Sequence, residues 1–305
     1  MRNAFAREIT KIAGKRNNLV LLSGDIGNRM FDDFKKVAPE RFFNCGIAEG
    51  NMMSVAAGMA LSGMRPVVYT ITPFTTIRCL EQIKIGVAYH QAPVVIIGTG
   101  SGLSYAELGA THHSLEDLAI LRSIPGINIL APADSNELVE QFNQALEDDL
   151  PTYIRIGKKG EPILHNKNSI LGIGKANILK EGEDLLILGI GPILNEAIIA
   201  ANIYSQTGKS VAVASLGGVQ PMDNSFLHKM TEKYSQWISI EEHSITGGLG
   251  SSLLEWLSEN KVNKVKLKRL GVPNQFIHEL GNQDFVRKKL GLNKDGIINV
   301  IQTII

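Results

Sequence analysis

Short runs of branched apolar residues recur along this chain, and helical patterns lie between them. The helical pattern is clear at 135–148, where apolar residues fall three and four positions apart. The runs lack strict alternation with polar residues, which is typical of strands in parallel sheets that are covered on both faces. We therefore predict an α/β fold with doubly wound, mostly parallel sheets. The predicted strands cover 18–24, 66–71, 92–98, 127–132, 152–157, 184–191, 210–217, 237–242 and 264–271.

The length of the chain favours two domains. It has 305 residues, and a single domain usually has about 100–200. The segment 157–182 is richer in glycine, lysine and polar residues than its surroundings, as a connection between domains often is. We predict a first α/β domain at 1–160, a linker at 161–182 and a second α/β domain at 183–305.

Composition excludes several classes of protein. A formal net charge of +1 gives no sign of a nucleic-acid-binding tract. No apolar run reaches the ~18 residues of a membrane-spanning helix, and the first residues include an acid, unlike a secretory signal. Cys45 and Cys79 lack the spacing of metal ligands, and so few cysteines fit a reducing compartment. We expect a cytoplasmic globular protein that binds neither nucleic acid nor membrane.

Two glycine-containing stretches resemble nucleotide-binding motifs but lack required residues. Gly-Lys-Ser at 208–210 has Ile203 where a phosphate-binding P-loop needs glycine, and it ends a helix and begins a strand, the reverse of the required order. The stretch 98–104 has Leu103 where the dinucleotide fingerprint needs glycine. There is also no Gly-x-Ser-x-Gly elbow for a hydrolase nucleophile.

One acid stands at the head of a long uncharged run. Glu49 precedes the segment 50–63, which contains no ionisable side chain. An acid in the first turn of a helix stabilises the helix by about 0.3–1 kcal/mol. Apolar neighbours such as Met52 and Met53 would also desolvate a carboxylate, which raises its pKa and suits it to sharing a proton. From these residues alone, both a structural and a catalytic role remain open.

Several separated motifs resemble thiamine diphosphate enzymes of the transketolase family. The stretches "GIAEGNMMSVAAGMALSGMRPVVYTITPFTTIRCLEQI", "GLSYAELGATHHSLEDLAILRSIPGINILAPAD" and "PTYIRIGK" resemble the pyrimidine-binding domain of that family. The stretches "LGIGPILNEAIIAA", "VASLGGVQPMD" and "EEHSITGGLGSSLLEWL" resemble its C-terminal domain. The order is collinear over nearly the whole chain. The chain is most similar to stand-alone C-terminal halves of split transketolases, which transfer a two-carbon ketol unit between sugars or sugar phosphates.

The resemblance implies a catalytic role for Glu49. In the family, the glutamate of the "GIAE" element bonds to a ring nitrogen of the cofactor's aminopyrimidine. That bond favours the imino tautomer, whose exocyclic nitrogen removes the proton from the reactive thiazolium carbon. Phe74 matches the aromatic residue that covers the pyrimidine, which relatives carry at this position or one residue later. Ile47 is expected to line the same pocket.

His112 in "GATHHSLED" matches the active-site histidine of the family. There the histidine contacts substrate and assists proton transfer, which suits a side chain with a pKa near 6.5. The neighbouring His113 cannot point the same way, so we expect it to pack or to form a local hydrogen bond. Without the family, two adjacent histidines would be only a weak indication of a metal site.

Four further residues match substrate or cofactor positions of the family, some with departures. Arg78 aligns with an arginine that binds substrate phosphate in the synthase branch. Lys158 stands where relatives usually have an arginine, so it keeps a charge but loses the bidentate fork. Leu108 replaces an aspartate that reads a sugar hydroxyl in many relatives. Asp25 in "SGDIGN" matches an acid near the cofactor, although aspartate is equally common in turns.

The chain contains no Gly-Asp-Gly motif. In the family, Gly-Asp-Gly and a later asparagine bind Mg²⁺ and the diphosphate from a separate domain. The resemblance therefore implies a partner chain, the N-terminal transketolase half with Gly-Asp-Gly…Asn, and an α2β2 heterotetramer. Two alternatives remain: a beta subunit of a 2-oxo acid dehydrogenase, to which "THHSLEDLAILRSIPG" is less similar, and a non-catalytic assembly partner, against which Glu49 and His112 argue.

Overall fold

Two mostly parallel sheets form the centre of the molecule, as seen in a computed structural model that describes residues 1–27, 29–279 and 281–305. Numbered along the chain, the strands are β1 (Leu19–Ser23), β2 (Phe42–Asn44), β3 (Arg65–Ile71), β4 (Val95–Thr99), β5 (Asn128–Leu130), β6 (Thr152–Ile156), β7 (Asn177–Lys180), β8 (Leu185–Gly189), β9 (Val211–Ser215), β10 (Gly218–Gln220), β11 (Gln236–Ser244) and β12 (Lys266–Val272). The first sheet has the order β10-β5-β6-β4-β3-β1-β2 and the second the order β12-β11-β8-β9-β7. The predicted α/β class with doubly wound, mostly parallel sheets is confirmed.

Helices cover both faces of these sheets. They are α1 (Arg2–Ala13), α2 (Asp32–Val37), α3 (Glu49–Leu61), α4 (Thr72–Thr75), α5 (Asp117–Arg122), α6 (Ser135–Glu147), α7 (Leu194–Tyr204), α8 (Asn224–Lys233), α9 (Leu249–Glu259), α10 (Gln283–Lys289) and α11 (Lys294–Gln302), with a π-helical segment at Gln82–Tyr89. Every residue of β1, β4 and β6 is buried, because helices cover both sides of the sheet. No helix in the described part of the chain is long and apolar enough to span a bilayer.

The structure contains each predicted strand and adds three short ones, β2, β7 and β10. Each of these has only three or four residues, too few for a clear pattern. β7 lies inside the segment interpreted as a linker and pairs antiparallel with β9. β10 follows β9 in sequence but leaves the second sheet and pairs antiparallel with β5 of the first. The two sheets are thus joined by backbone hydrogen bonds.

A buried ion pair in the first half also belongs to a network that reaches the second half. The Nη1 of Arg155 in β6 lies 3.2 Å from Oδ1 of Asp117 in α5, and the two side chains are 5% and 1% exposed. The Nη2 of Arg155 donates to the carbonyl of Glu242 in β11, at 2.9 Å. Tyr153 donates its hydroxyl to Oδ2 of Asp117, at 2.6 Å. Buried charges cost free energy unless they are paired, so this network is complete only when both halves are in place.

The segment before β7 is anchored by a second buried cluster. His165 places Nδ1 3.0 Å from Oδ2 of Asp134, the residue that caps α6. Burial alone would raise the pKa of Asp134, but hydrogen bonds from His165 and from backbone amides lower it below its usual range. Burial raises the pKa of Glu137 to about 7, and Ser215 of β9 donates its hydroxyl to that carboxyl group. The cluster therefore connects α6, this segment and the second sheet.

Candidate active site

The predicted site residues follow the carboxyl ends of parallel strands in the first sheet. Asp25 comes after β1, Ile47 after β2, Phe74 after β3, His112 after β4 and Lys158 after β6. The carboxyl ends of parallel strands meet at one edge of a sheet, where α/β proteins commonly bind ligands. The topology thus places these residues on the same edge.

Glu49 begins α3 and is 4% exposed. Its Oε2 accepts a hydrogen bond from Nη1 of Arg78, at 2.8 Å. A carboxylate is costly to bury unless it is paired, and the guanidinium supplies the pairing charge. The nearby thiol of Cys79 is not a competing nucleophile, because burial and the neighbouring Glu49 raise its pKa to about 12.

Phe74 lies between Arg78 and His112. The Cζ of Arg78 is 4.3 Å from the centre of the Phe74 ring, within the range of a cation–π contact. The ring of His112 approaches Phe74 edge to face, with centres 5.3 Å apart and planes at 70°. Glu49, Arg78, Phe74 and His112 therefore form a continuous group, although they are distributed over residues 49–112.

His112 is partly buried in the loop after β4. Its Nδ1 lies 2.9 Å from the hydroxyl of Thr111. Burial lowers the pKa of His112, and the neighbouring His113 lowers it further. The imidazole is then mainly neutral near pH 7 and can accept a proton. The expectation for His113 is confirmed: it is 4% exposed, and its Nε2 lies 3.2 Å from the carbonyl of Ala106.

Lys158 lies at the far end of this group, beside residues that the sequence did not indicate. Its Nζ is 4.5 Å from the centre of the Tyr105 ring and 3.3 Å from Oε1 of Glu107. Tyr105 also lies edge to face with His112, with ring centres 6.2 Å apart. Leu108 belongs to the same helical turn as Glu107 and is 49% exposed. This loop has no hydrophobic period, so no local signal could have identified Tyr105 or Glu107.

Asp25 and Ile47 lie on neighbouring loops of the same edge. Asn44 donates its side-chain amide to Oδ1 of Asp25 at 3.2 Å, and the amide of Asp25 donates to the carbonyl of Gly46. These contacts tie together the loops after β1 and β2. Ile47 is 85% exposed, so it reaches solvent rather than the buried surroundings of Glu49.

The residues present fit one part of thiamine diphosphate better than the other. A buried carboxylate beside a half-buried aromatic face suits a flat, nitrogen-containing ring such as the pyrimidine. Within residues 1–27, 29–279 and 281–305, no group of three or more histidine, cysteine, aspartate or glutamate side chains could hold a metal ion. The described residues thus include a surface that suits the pyrimidine but no such side-chain cluster for Mg²⁺.

Comparison with protein families gives two matches along the chain. The family described as "Transketolase, pyrimidine binding domain" matches residues 1–161. The family described as "Transketolase, C-terminal domain" matches residues 174–297. Together they cover both halves of the molecule.

Curated relatives match over almost their whole length. A subunit of the apulose-4-phosphate transketolase of Phocaeicola vulgatus is 34% identical over 298 residues, covering 97% of this chain and 94% of the relative. A 6-deoxy-6-sulfo-D-fructose transketolase subunit of a Clostridium species is 33% identical over 299 residues, covering 98% and 92%. Neither is described as a dehydrogenase subunit.

A solved structure has the same fold. It is described as a split-gene transketolase in an inactive β4 tetramer, and it superposes with a TM-score of 0.89 at 30% sequence identity. The match covers 99% of this chain and 97% of that one. The agreement extends over both sheets and therefore includes their relative placement.

Proposed function

The chain belongs to the transketolase family, and we propose from this premise that it is the pyrimidine-binding subunit of a two-component, thiamine diphosphate-dependent transketolase. Such an enzyme transfers a two-carbon ketol unit between sugars or sugar phosphates. The observation that carries the proposal is the burial of Glu49 at the start of α3, next to Phe74 and His112 at the carboxyl edge of the first sheet. Burying a carboxylate costs free energy, so an acid whose only role was to stabilise the start of a helix would be more favourable in contact with solvent.

The chemistry divides between the cofactor and this chain. Thiamine diphosphate, when bound, supplies the electron sink for the transferred carbon unit. Glu49 would share a proton with the pyrimidine ring nitrogen and so control where that ring carries its proton. Phe74 would provide an aromatic face for the ring. His112, whose pKa burial lowers, would accept a proton from a substrate hydroxyl and return it later.

A partner chain would supply the remaining ligands. We propose that it carries Gly-Asp-Gly…Asn, binds Mg²⁺ and the diphosphate, and assembles with this chain as an α2β2 heterotetramer. The name of the relative in Phocaeicola vulgatus marks it as one subunit of a transketolase, and the structural neighbour is described as an inactive β4 tetramer. Exposed apolar side chains in the first half of the chain support a docking surface; they include Ile47 at 85%, Ile77 at 46% and Tyr89 at 78% exposed.

The proposed substrate is an anionic ketose. Arg78 and Lys158 are the cations of the group at the carboxyl edge, and both are at least partly exposed. The names of two relatives include a phosphorylated sugar and a sulfonated sugar. A cytoplasmic location fits the two free cysteines, Cys45 and Cys79, because reducing compartments keep thiols free.

The test of the proposed function is reconstitution with the partner. We expect this chain alone to show neither tight binding of thiamine diphosphate nor turnover, because it lacks the diphosphate and metal ligands. Calorimetry with thiamine diphosphate and Mg²⁺ should detect binding only when the partner with Gly-Asp-Gly…Asn is present. The matched control is the same partner with alanine in place of the motif aspartate. Micromolar affinity of this chain alone would contradict the division of the site between two chains.

Because Leu108 replaces an aspartate that would bind a substrate hydroxyl, we expect the enzyme to discriminate only weakly between donors with and without that hydroxyl. A site built to hydrogen-bond a hydroxyl rejects analogues without it by about 10⁴-fold, whereas an apolar side chain removes that demand. Leu108→Asp should therefore create a preference for the hydroxylated donor, measured as kcat/KM for two ketose phosphates that differ only at this hydroxyl. Leu254→Asp, at an exposed leucine of α9, is the control. Strong discrimination by the wild type that Leu108→Asp leaves unchanged would place Leu108 away from the substrate.

A further inference from the structure

The guanidinium of Arg78 makes the two contacts that the proposed function assigns to the pyrimidine ring. It lies over the face of Phe74, with Cζ 4.3 Å from the ring centre. It also donates from Nη1 to Oε2 of Glu49, at 2.8 Å. A guanidinium is flat and delocalised, and it can stack and hydrogen-bond at the same time, as an aminopyrimidine can. The side chain of Arg78 therefore covers both groups proposed to contact the pyrimidine ring, the carboxylate of Glu49 and the face of Phe74.

The position of Arg78 in the fold makes this contact a long-range one. Arg78 lies in the short helical turn Ile77–Cys79, which follows α4, whereas Glu49 begins α3, 29 positions earlier. Glu49 is almost completely buried, but the side chain of Arg78 is 50% exposed. One partner of the pair is thus held rigidly and the other has solvent on one side into which it can move.

We propose that Arg78 closes the pyrimidine site of this chain and must leave Glu49 and Phe74 before the cofactor ring can bind. The proposal rests on the proposed function, since it concerns the same carboxylate and the same aromatic face. It assigns Arg78 a competing role toward the cofactor, in addition to its suggested role toward a substrate anion. Arg78 is in this sense a gating residue.

The contact between Arg78 and Glu49 indicates that the cofactor ring would displace Arg78 rather than bind beside it. Nη1 of Arg78 donates to Oε2 of Glu49, so the guanidinium and a ring nitrogen would compete for the same carboxylate. The proposed proton relay needs Glu49 to share a proton with a ring nitrogen. A guanidinium that remained at 2.8 Å would oppose that sharing. Once displaced, Arg78 would be free to contact the anionic end of a substrate together with Lys158.

The expected competition is modest, which allows the gate to open. The side chain of Arg78 is half exposed, so water weakens its contacts with Glu49 and with the ring of Phe74. We therefore expect the removal of Arg78 to tighten cofactor binding by about 3- to 30-fold. A much stronger contact would prevent binding at ordinary cofactor concentrations.

The experiment compares Arg78→Ala and Arg78→Lys with the wild type in the complex with the partner chain. Calorimetry with thiamine diphosphate and Mg²⁺ should give a lower dissociation constant for Arg78→Ala, within that range. Arg78→Lys should fall between the wild type and Arg78→Ala, because lysine keeps the charge but lacks the flat face. Lys84→Ala, at an exposed cation of the neighbouring segment Gln82–Tyr89, should leave the affinity unchanged.

A second measurement separates gating from a general loss of structure. In this chain without its partner, Arg78→Ala should lower Tm, because it leaves the buried carboxylate of Glu49 without its charge partner. The same substitution should raise the KM for an anionic ketose donor. Lower stability and tighter cofactor binding in one variant is a combination that a purely structural arginine would not produce.

The outcomes distinguish this inference from the proposed function. If the wild-type complex binds the cofactor and Arg78→Ala binds it equally well or more weakly, the gating role is overturned and the proposed function stands. If the wild-type complex binds no thiamine diphosphate at all, both are overturned. Tighter binding by Arg78→Ala, with unchanged binding by Lys84→Ala, supports the gate.

Discussion

Replacing Glu49 with glutamine is expected to lower kcat for ketol transfer by the reconstituted complex. The expected loss is about 10²–10⁴-fold or more, since 10²–10⁴-fold is the usual contribution of one acid–base contact. Glutamine has nearly the same size and can still form hydrogen bonds, but it cannot share a proton with a ring nitrogen. Because the carboxylate is 4% exposed, water cannot readily take over its role. The measurement is kcat for transfer between a ketose donor and an aldose acceptor, with assembly followed by gel filtration.

Glu81→Gln is the matched control for this experiment. Glu81 is an exposed acid close to Arg78 in the chain, and its carboxylate accepts a hydrogen bond from Gln82 at 3.1 Å. That variant should transfer ketol units at the wild-type rate. If Glu49→Gln retained more than about a tenth of wild-type kcat, the loss would fall below the usual acid–base contribution and Glu49 would be only a helix-end acid.

Arg155→Met is expected to lower the free energy of unfolding by about 3–5 kcal/mol, because it leaves the buried carboxylate of Asp117 without its charge partner. Both side chains are at most 5% exposed, and Arg155 also donates to the carbonyl of Glu242 in the other half. The substitution therefore affects the contact between the two sheets as well as the ion pair. Urea unfolding of this chain, followed by circular dichroism, measures the change.

The double variant Asp117→Leu/Arg155→Met tests the cause of this loss. Replacing both buried charges by apolar groups often restores much of the stability that a single replacement removes. We expect the double variant to be more stable than Arg155→Met alone. Lys36→Met, in the exposed pair with Asp33, should leave the unfolding midpoint unchanged. A destabilisation by Arg155→Met no larger than that of Lys36→Met would show that the pair with Asp117 does not stabilise the chain.

The core strands could be predicted because a buried strand shows a recognisable local run of apolar residues. β1 and β4 are short, mostly apolar runs whose residues are all buried, and a nearly continuous apolar run is the signal of such a strand. β10 could not be predicted in this way. It has three residues, and its pairing with β5 depends on a strand that lies some ninety positions earlier in the chain.

Part of the candidate site was also predictable from a local feature of the sequence. Glu49 was conspicuous as the only acid at the head of a long uncharged run, and the family motif suggested its chemistry. Its contact with Arg78 was not predictable, because the sequence suggested only a substrate phosphate as a partner for that arginine. Tyr105 and Glu107 beside Lys158 gave no signal at all, since they lie in a loop without a period.

The sequence by itself determined the alternation of strands and helices and the apolar runs of central strands such as β1 and β4, because such burial leaves a record in neighbouring residues. Only the tertiary structure decided which side chains meet at the carboxyl edge of the first sheet. Arg78 reaches Glu49 across 29 positions, and Arg155 reaches Glu242 across 87. Such contacts depend on the order of strands within a sheet, and the pattern of any one segment contains no information about that order.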